Sequence, residues 1–464
     1  MRKNDSLYQY VYKIFPSVYD DSLSYYELIT KLIRCIKEIA NEVDLIYSEG
    51  LYQATKKVLE EMVSSGEISE LLFSNKADFD DQTRVFYIPT DYPTLADAVQ
   101  DLERRVTGLG VRYELIVEDG HTVTSGLSLE NGDFSHYEIK SEREDNVIYA
   151  NFDGRFIDMN NGNAPILNAI VDGNNVLDRV YSVFNGNGRI EVGGGGRNIL
   201  GRPLYLNASH VYAAETVWEN CADQIYASAG SGLQFGNSIV KNFTLEGNGA
   251  LVASRGSAIE AQGLQMDSCY IAMEIKRAGS AINCHDARFT NIGYIVALVW
   301  RGGVLSMRKA VGTDLHGEVV RGECATISME ESSWNADATN ASPALKCTGC
   351  LMNISSAEFN AFGEAGLQLW EATQAKASRV KVTNCNGHGV HLDLNSHADV
   401  YKAYLVGNQG QDLRITRGST VSAFSVTSTN TNDTANPTLN ISDTNLVGNA
   451  FNVIEANKGI IYAE

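Results

Sequence analysis

From residue 209 onward the chain repeats with a period of about 23 residues, and no other feature limits its fold as tightly. Each copy opens on a small anchor residue followed by a short strand: Ser209-HVYA, Ser231-GLQF, Ser257-AIEA, Ser280-AINC, Gly303-VLSM, Ala325-TISM. The series continues as Cys350-LMNI, Thr373-QAKA, Ser396-HADV, Ser419-TVSA and Pro437-TLNI, with a partial copy near Lys458 carrying Ile460 and Tyr462. Successive anchors lie 22, 26, 23, 23, 22, 25, 23, 23, 23 and 18 residues apart. Two residues after the anchor stands an apolar column, among it Val211, Leu233, Ile259, Ile282, Leu305, Ile327 and Leu439. Four after it stands another, with Phe235, Cys284, Met307, Met329, Ile354, Val400 and Ile441. Positions seven and nine, such as Ala287 with Phe289, are small or apolar again, and an Asn/Gly turn leads to a third apolar strand such as "GLQLW" or "YIVALV". Alternating short strands at a fixed period predict a parallel β-helix with three strands per coil. Asn220, Asn242, Asn291, Asn384 and Asn430 share the position eleven after the anchor. Asparagine tolerates the left-handed turn conformation there, and its amide can bond the next one along the stack.

Composition excludes several classes. A net charge of −20 disfavours nucleic acid and anionic membranes, both of which need clustered Lys and Arg. No run of roughly 18 apolar residues is present, so membrane insertion is not expected. The N-terminus "MRKNDSLYQYVYKIFPSVYDD" is too polar for a signal peptide, which predicts a soluble protein made in a cytosol. Eight cysteines are scattered without a framework, and the lone C-x-x-C at Cys347 and Cys350 lacks a second pair. Reduced, mostly buried thiols are expected, with no metal and no cofactor.

Three regions are expected: 1–80 helical, 81–125 a cap with the first strands, and 126–464 the β-helix. Within 22–65, Ser24 and Glu27 make a capping-box start, and Leu28, Leu32, Ile36, Ile39, Val43 and Ile46 fall on one face. That stripe suits either self-association or a plain helical hairpin. "RVFYIPTDYPTLADAVQDLERRV" predicts a strand, a turn and a helix from near Thr94 with Leu95, Ala98, Val99 and Leu102 on one face. A helix there suits a terminal cap on the repeat.

The run "AINCHDARF" places Cys284, His285 and Asp286 side by side, the parts of a nucleophilic site. The columns argue otherwise. Cys284 shares its column with Ala, Phe, Met, Ile and Val and faces the core, whereas His285 and Asp286 fall in mixed polar columns. Neighbouring strand residues point to opposite sides and cannot converge on one reacting atom. Chemistry is therefore expected on the outer columns. The third-strand face offers Glu274, Trp300, Arg321, Lys346, Gln368, Trp370, His391, Asp393 and Arg414. Of these, Trp300, Arg321, Gln368, Trp370, His391 and Arg414 are candidate substrate-binding side chains, since tryptophan stacks on sugar rings and arginine binds acidic groups. Glycoside hydrolysis needs two carboxylates about 5–10 Å apart, and coils rise by about 4.8 Å. Glu330 or Glu331 with Glu358, and Asp393 with Asp412, are the candidate catalytic pairs. A solvated, charge-mixed surface would show the same letters.

With "DYPTLADAVQDLERRV" and "YELIVEDGHTV" ahead of it, the repeat resembles the pectate-lyase-like right-handed β-helix of bacteriophage tail spikes and appendages. In that family a Pro-Thr-Leu helix caps the first coils, as Pro93 to Val99 would here. "IFPSVYDDSLSYYELITKLIRCIKEIANEV" is similar to virion-anchoring segments of phage fibres and spikes. The resemblance implies a homotrimer in the virion tail, assembled in the host cytoplasm. It would be attached to a tail, baseplate or neck protein through its N-terminal helices and would face host surface polysaccharide. Many relatives depolymerise that polysaccharide as glycosidases or lyases; others only adhere, and a free bacterial polysaccharide lyase is a weaker alternative. The chain closes on "NKGIIYAE" without an obvious C-terminal trimerisation domain, which leaves trimer stabilisation to the N-terminal helices. The family shares its fold more than its active-site motif, so no catalytic residue carries over.

Overall fold

A computed structural model describes residues 77–78, 83–103, 106–107, 111–423, 426–429 and 460–462. The helices expected in 22–65, the copy at Pro437 with Leu439 and Ile441, and Asn430 lie outside the described residues. The described residues divide into two units, one within 1–86 and 91–114, the other comprising 87–90 and 115–464.

In the first unit the expected helix spans Leu95–Leu102, with the Thr94 hydroxyl accepting from the Asp97 N–H as N-cap. Its buried residues are Leu95, Ala98, Val99 and Leu102, the stripe read from the sequence.

The second unit is a parallel β-solenoid of the right-handed type with about 13 turns. Each coil contributes three short strands, and each strand pairs in parallel with its counterparts in the neighbouring coils. One representative coil runs from Ile271–Lys276 on the third face, through Ala281–Asn283 on the first, to Arg288–Thr290 on the second. The second face is a continuous 14-stranded sheet from Thr122–Val123 to Thr427–Thr429. Near the start, the 14-residue strand Arg155–Asn168 rounds a corner and pairs on both of the other faces.

The columns read from the sequence are the core. Val211, Leu233, Ile259, Ile282, Leu305 and Ile327 stack in register and are buried, as are Phe235, Cys284, Met307, Met329 and Val400. The small polar anchors have a specific duty. Ser231 and Ser257 each accept from the backbone N–H of the preceding anchor, and Ser257 donates to the Ser254 carbonyl. A hydroxyl buried at a corner thus satisfies backbone groups that the turn would otherwise orphan.

The corners are left-handed. Asn220, Asn242, Asn291 and Asn384 have φ between 52° and 57°. Their amides form a ladder from Asn242 through Asn220 and Asn198 to Asp172, with steps of 2.8, 3.3 and 3.0 Å. Elsewhere the ladder is broken: Asn291 donates to Ser268 instead. Ile460–Tyr462 pairs directly with Thr420–Ser422, so it takes the place beside that strand which the spacing assigns to the copy at Pro437.

Candidate functional site

The apparent triad comes apart on the first face. Cys284 is fully buried, its sulfur 3.7 Å from that of Met273, and burial pushes its thiol well above the ordinary range. His285 Nε2 lies 2.7 Å from Ser306 Oγ, and Asp286 sits at an exposed left-handed corner with φ 56°. Cys347 and Cys350 are also buried free thiols. Each thiol acts on the other: its Cys350 neighbour and burial raise Cys347, while its Cys347 neighbour lowers Cys350. Among the described residues, no group of three or more His, Cys, Asp or Glu could hold a metal ion.

The third-face residues do line up. Glu274, Leu298, Arg321, Lys346, Gln368, His391 and Arg414 occupy one register column, each paired with the next. Trp300, Trp370 and Asp393 stand two residues further along their own coils. Not all of these outer positions are open to solvent. Glu274, Gln368 and Asp393 are buried. Glu274 accepts from Trp300 Nε1 at 3.2 Å and pairs with Lys276 at 3.1 Å. Arg321 grips the buried Glu318 through two hydrogen bonds of 2.8 and 2.7 Å and lies over the Tyr294 ring at 5.3 Å. Tyr294 stacks on Tyr270 at 5.4 Å, and with Trp300 these rings pack over Ile271, Ile295 and Leu298. Further along, the Lys346 ammonium stands 5.6 Å over the Trp370 ring. Gln368 donates to Glu364, and Arg414 Nη1 lies 2.9 Å from His388 Nε2. Burial, with help from Arg414 and His388, holds His391 down at about 4.

Asp393 and Asp412 do not face each other across neighbouring coils. Asp412 precedes the strand Leu413–Ile415, and Asp393 follows the neighbouring strand Val390–Leu392, so the two stand at opposite strand ends, roughly 13 Å apart along the chain direction. Both are buried in structural bonds. Asp412 accepts from Asn408 at 2.9 Å. Asp393 takes Arg417, the Thr416 hydroxyl and the Leu394 N–H, and these bonds hold its carboxyl below the usual range despite burial. Glu330 accepts from Asn353 at 2.7 Å, Glu331 from Arg308 at 3.0 Å, and Glu358 from Lys381. Each carboxylate has a partner of its own in its neighbourhood, and polar letters on an outer column do not reveal such partners.

The structure adds a patch that the spacing did not single out. Arg155, Arg179 and Arg202 come from three successive coils, with Arg155 and Arg179 directly paired in register. Each has an aspartate: Asp158 at 2.8 Å, Asp178 at 3.2 Å and Asp223 at 3.4 Å. Arg179 lies 4.6 Å over the Tyr205 ring, and Arg202 lies 4.7 Å over that of Tyr226. The two tyrosines stack at 5.7 Å with a 9° tilt, and Phe184 packs on Tyr205. Burial and the flanking Arg155 and Arg202 charges push the Arg179 guanidinium below its ordinary value. Aromatic planes carrying guanidinium groups present hydrogen-bond donors beside a stacking surface. These coils precede the first anchor at Ser209, which is why no column exposed them in the sequence.

No family model matches the chain, and none of the curated proteins does. Among solved structures, it is similar to the Azotobacter vinelandii mannuronan C-5 epimerase AlgE4 A-module. The likeness has 7% identity and a TM-score of 0.24, over 76% of this chain and 86% of that one. At that level nothing about activity or substrate passes from one protein to the other. The fold itself defines a parallel β-solenoid whose outer third face carries aromatic rings with cations over them.

Proposed function

We propose that this protein is a virion tail spike or appendage that binds an extended host-surface polysaccharide along the third face of its solenoid. It acts as a homotrimer joined to the virion tail through its N-terminal residues. The virion assignment rests on the resemblance of the "DYPTLADAVQDLERRV" and "IFPSVYDDSLSYYELITKLIRCIKEIANEV" segments to phage spikes. The observation that carries the binding reading is the Tyr205–Tyr226 stack beneath Arg179 and Arg202. Rings held at a spacing close to the coil rise give a polymer repeated stacking positions, and guanidinium groups beside them reach hydroxyl and acid oxygens. Adhesion without turnover is favoured over depolymerisation by the dispersal of Asp393, Asp412, Glu330, Glu331 and Glu358 among structural partners.

Calorimetric titration of purified capsular and wall polysaccharides against the full chain tests binding. Tyr226→Ala should weaken it about tenfold, and unchanged affinity would sink the third-face assignment. A reducing-end or unsaturated-sugar assay on the same polymers separates adhesion from cleavage, since sustained product release would refute adhesion alone. Native mass measurement of the full chain and of a variant lacking residues 1–80 tests the trimer.

A further inference from the structure

A concavity lies on the first face, on different strands from the arginine–tyrosine patch of the third face, and we infer that it is a binding groove for a neutral, hydroxyl-rich ligand such as an uncharged sugar unit. It encloses about 510 Å³. Its long wall is one register column, Tyr212, Gln234, Glu260 and Asn283, contributed by four successive coils. Its floor is made by small residues at the corner. Ala214 and Gly236 stand where later coils carry Gln262, His285, Arg308 and Glu330, so the dent is confined to these coils.

The lining chemistry selects the ligand. Glu260 and Asp286 are exposed acceptors, Gln234 and Asn283 offer both donors and acceptors, and Tyr212 leaves 46% of its surface exposed at one end. Asn283 already donates to Glu260 at 2.8 Å, and Gln262 to Asp286 at 3.3 Å, which holds the two carboxylates in place. No Lys or Arg lines the groove. Arg189, which lies 5.6 Å over the Tyr212 ring, is paired with Glu191 at 2.6 Å. Two carboxylates without a lining cation repel anions. Carboxylate and amide oxygens with a flanking aromatic ring instead satisfy several hydroxyl donors at once. This inference stands apart from the third-face reading and survives its failure.

Gly236 supplies the test. A Cβ added there would meet one atom within 4 Å, the Gln262 carbonyl oxygen at 3.3 Å, and Gly236 itself lines the groove, so a large side chain there competes for its space. The probes are malto-, cello- and dextran-derived oligosaccharides, with oligogalacturonate as the anionic counter-probe, followed by ligand-observed NMR on the full chain. Wild type should bind at least one neutral probe saturably and should bind it more tightly than oligogalacturonate. Gly236→Trp should weaken that binding at least tenfold, and Glu260→Ala, which leaves the floor untouched, several-fold. Val304→Thr, exposed on the same face but outside the groove lining, should leave it unchanged. Absence of binding by every neutral probe, stronger binding of oligogalacturonate, or wild-type affinity in both groove variants would overturn the assignment.

Discussion

His391 gives the sharpest quantitative test of the third face. It is half-buried on the central outer column, flanked in register by Gln368 and Arg414, with the His388 ring 5.5 Å away. Burial first, then the Arg414 and His388 charges, bring it from an ordinary 6.5 to about 4, while Asp393 acts weakly the other way. The sign follows from where each state takes up its proton. Above about pH 7 both folded and unfolded chains hold a neutral imidazole, and stability is flat. Below 6.5 the unfolded chain gains a proton that the folded chain refuses until about pH 4, so stability falls across that window. A displacement from 6.5 to about 4 corresponds to at most about 3 kcal/mol, which solvent screening of the partly exposed ring reduces to about 1–2 kcal/mol, most of it lost by pH 5. Asp393, whose carboxyl is held below its ordinary 3.8, titrates beneath this window and does not confuse it. Hydrogen-exchange mass spectrometry on peptides within 385–415, corrected for intrinsic exchange, should show protection falling between pH 7 and 5. In His391→Gln, which repeats the residue type found one coil earlier, most of that fall should vanish. An equal loss of protection in both proteins would refute the burial argument, as would an NMR titration placing His391 near 6.5.

Four further outcomes follow from the same geometry. Peptide mapping after brief alkylation of the native protein should label Cys324, which is exposed, and spare Cys221, Cys269, Cys284, Cys347, Cys350 and Cys385, all buried; rapid labelling of Cys284 would contradict its core placement. Ile282→Ala should destabilise by about 2–5 kcal/mol, because Ile282 is buried in the first-face column. Val304→Thr, at a site 42% exposed, should shift stability by no more than about 0.5 kcal/mol in chemical denaturation. Gly317→Ala should lower the melting temperature measurably, since an added Cβ would fall 1.7 Å from the Tyr294 carbonyl oxygen; an unshifted melt would show that the backbone there yields.

The core was readable because one coil constrains the next. Ile282 is apolar for the same reason as Ile259 and Leu305, since all three lie in one stacked column. The left-handed corners were readable only where asparagine marked them. Glu215, Lys309, Glu331 and Arg379 adopt φ of 57–59° at equivalent corners, a conformation that their side chains do not advertise. There the paired strands on either side dictate the turn. The outer face was legible in register but not in exposure. Glu274 and Asp393 sit at outer positions, yet partners two residues or one coil away cover them, and those contacts are invisible to periodicity. The Arg155–Arg179–Arg202 row escaped notice because its coils lack the small anchor and include one long strand that rounds a corner.

The constant rise of the coils has a metrical consequence. Side chains in an outer column recur about every 4.8 Å, so the solenoid is graduated like a ruler along its axis. Any repeating chain laid along such a face with a repeat that is a whole multiple of that graduation would meet successive coils in the same phase. One whose repeat is incommensurate drifts out of phase after a few units. Replacing a single coil's outward residue alters one graduation and leaves the scale intact, because the inward residues of that coil carry the stacking. The fixed scale of the outer columns and their tolerance to surface change therefore have the same structural origin.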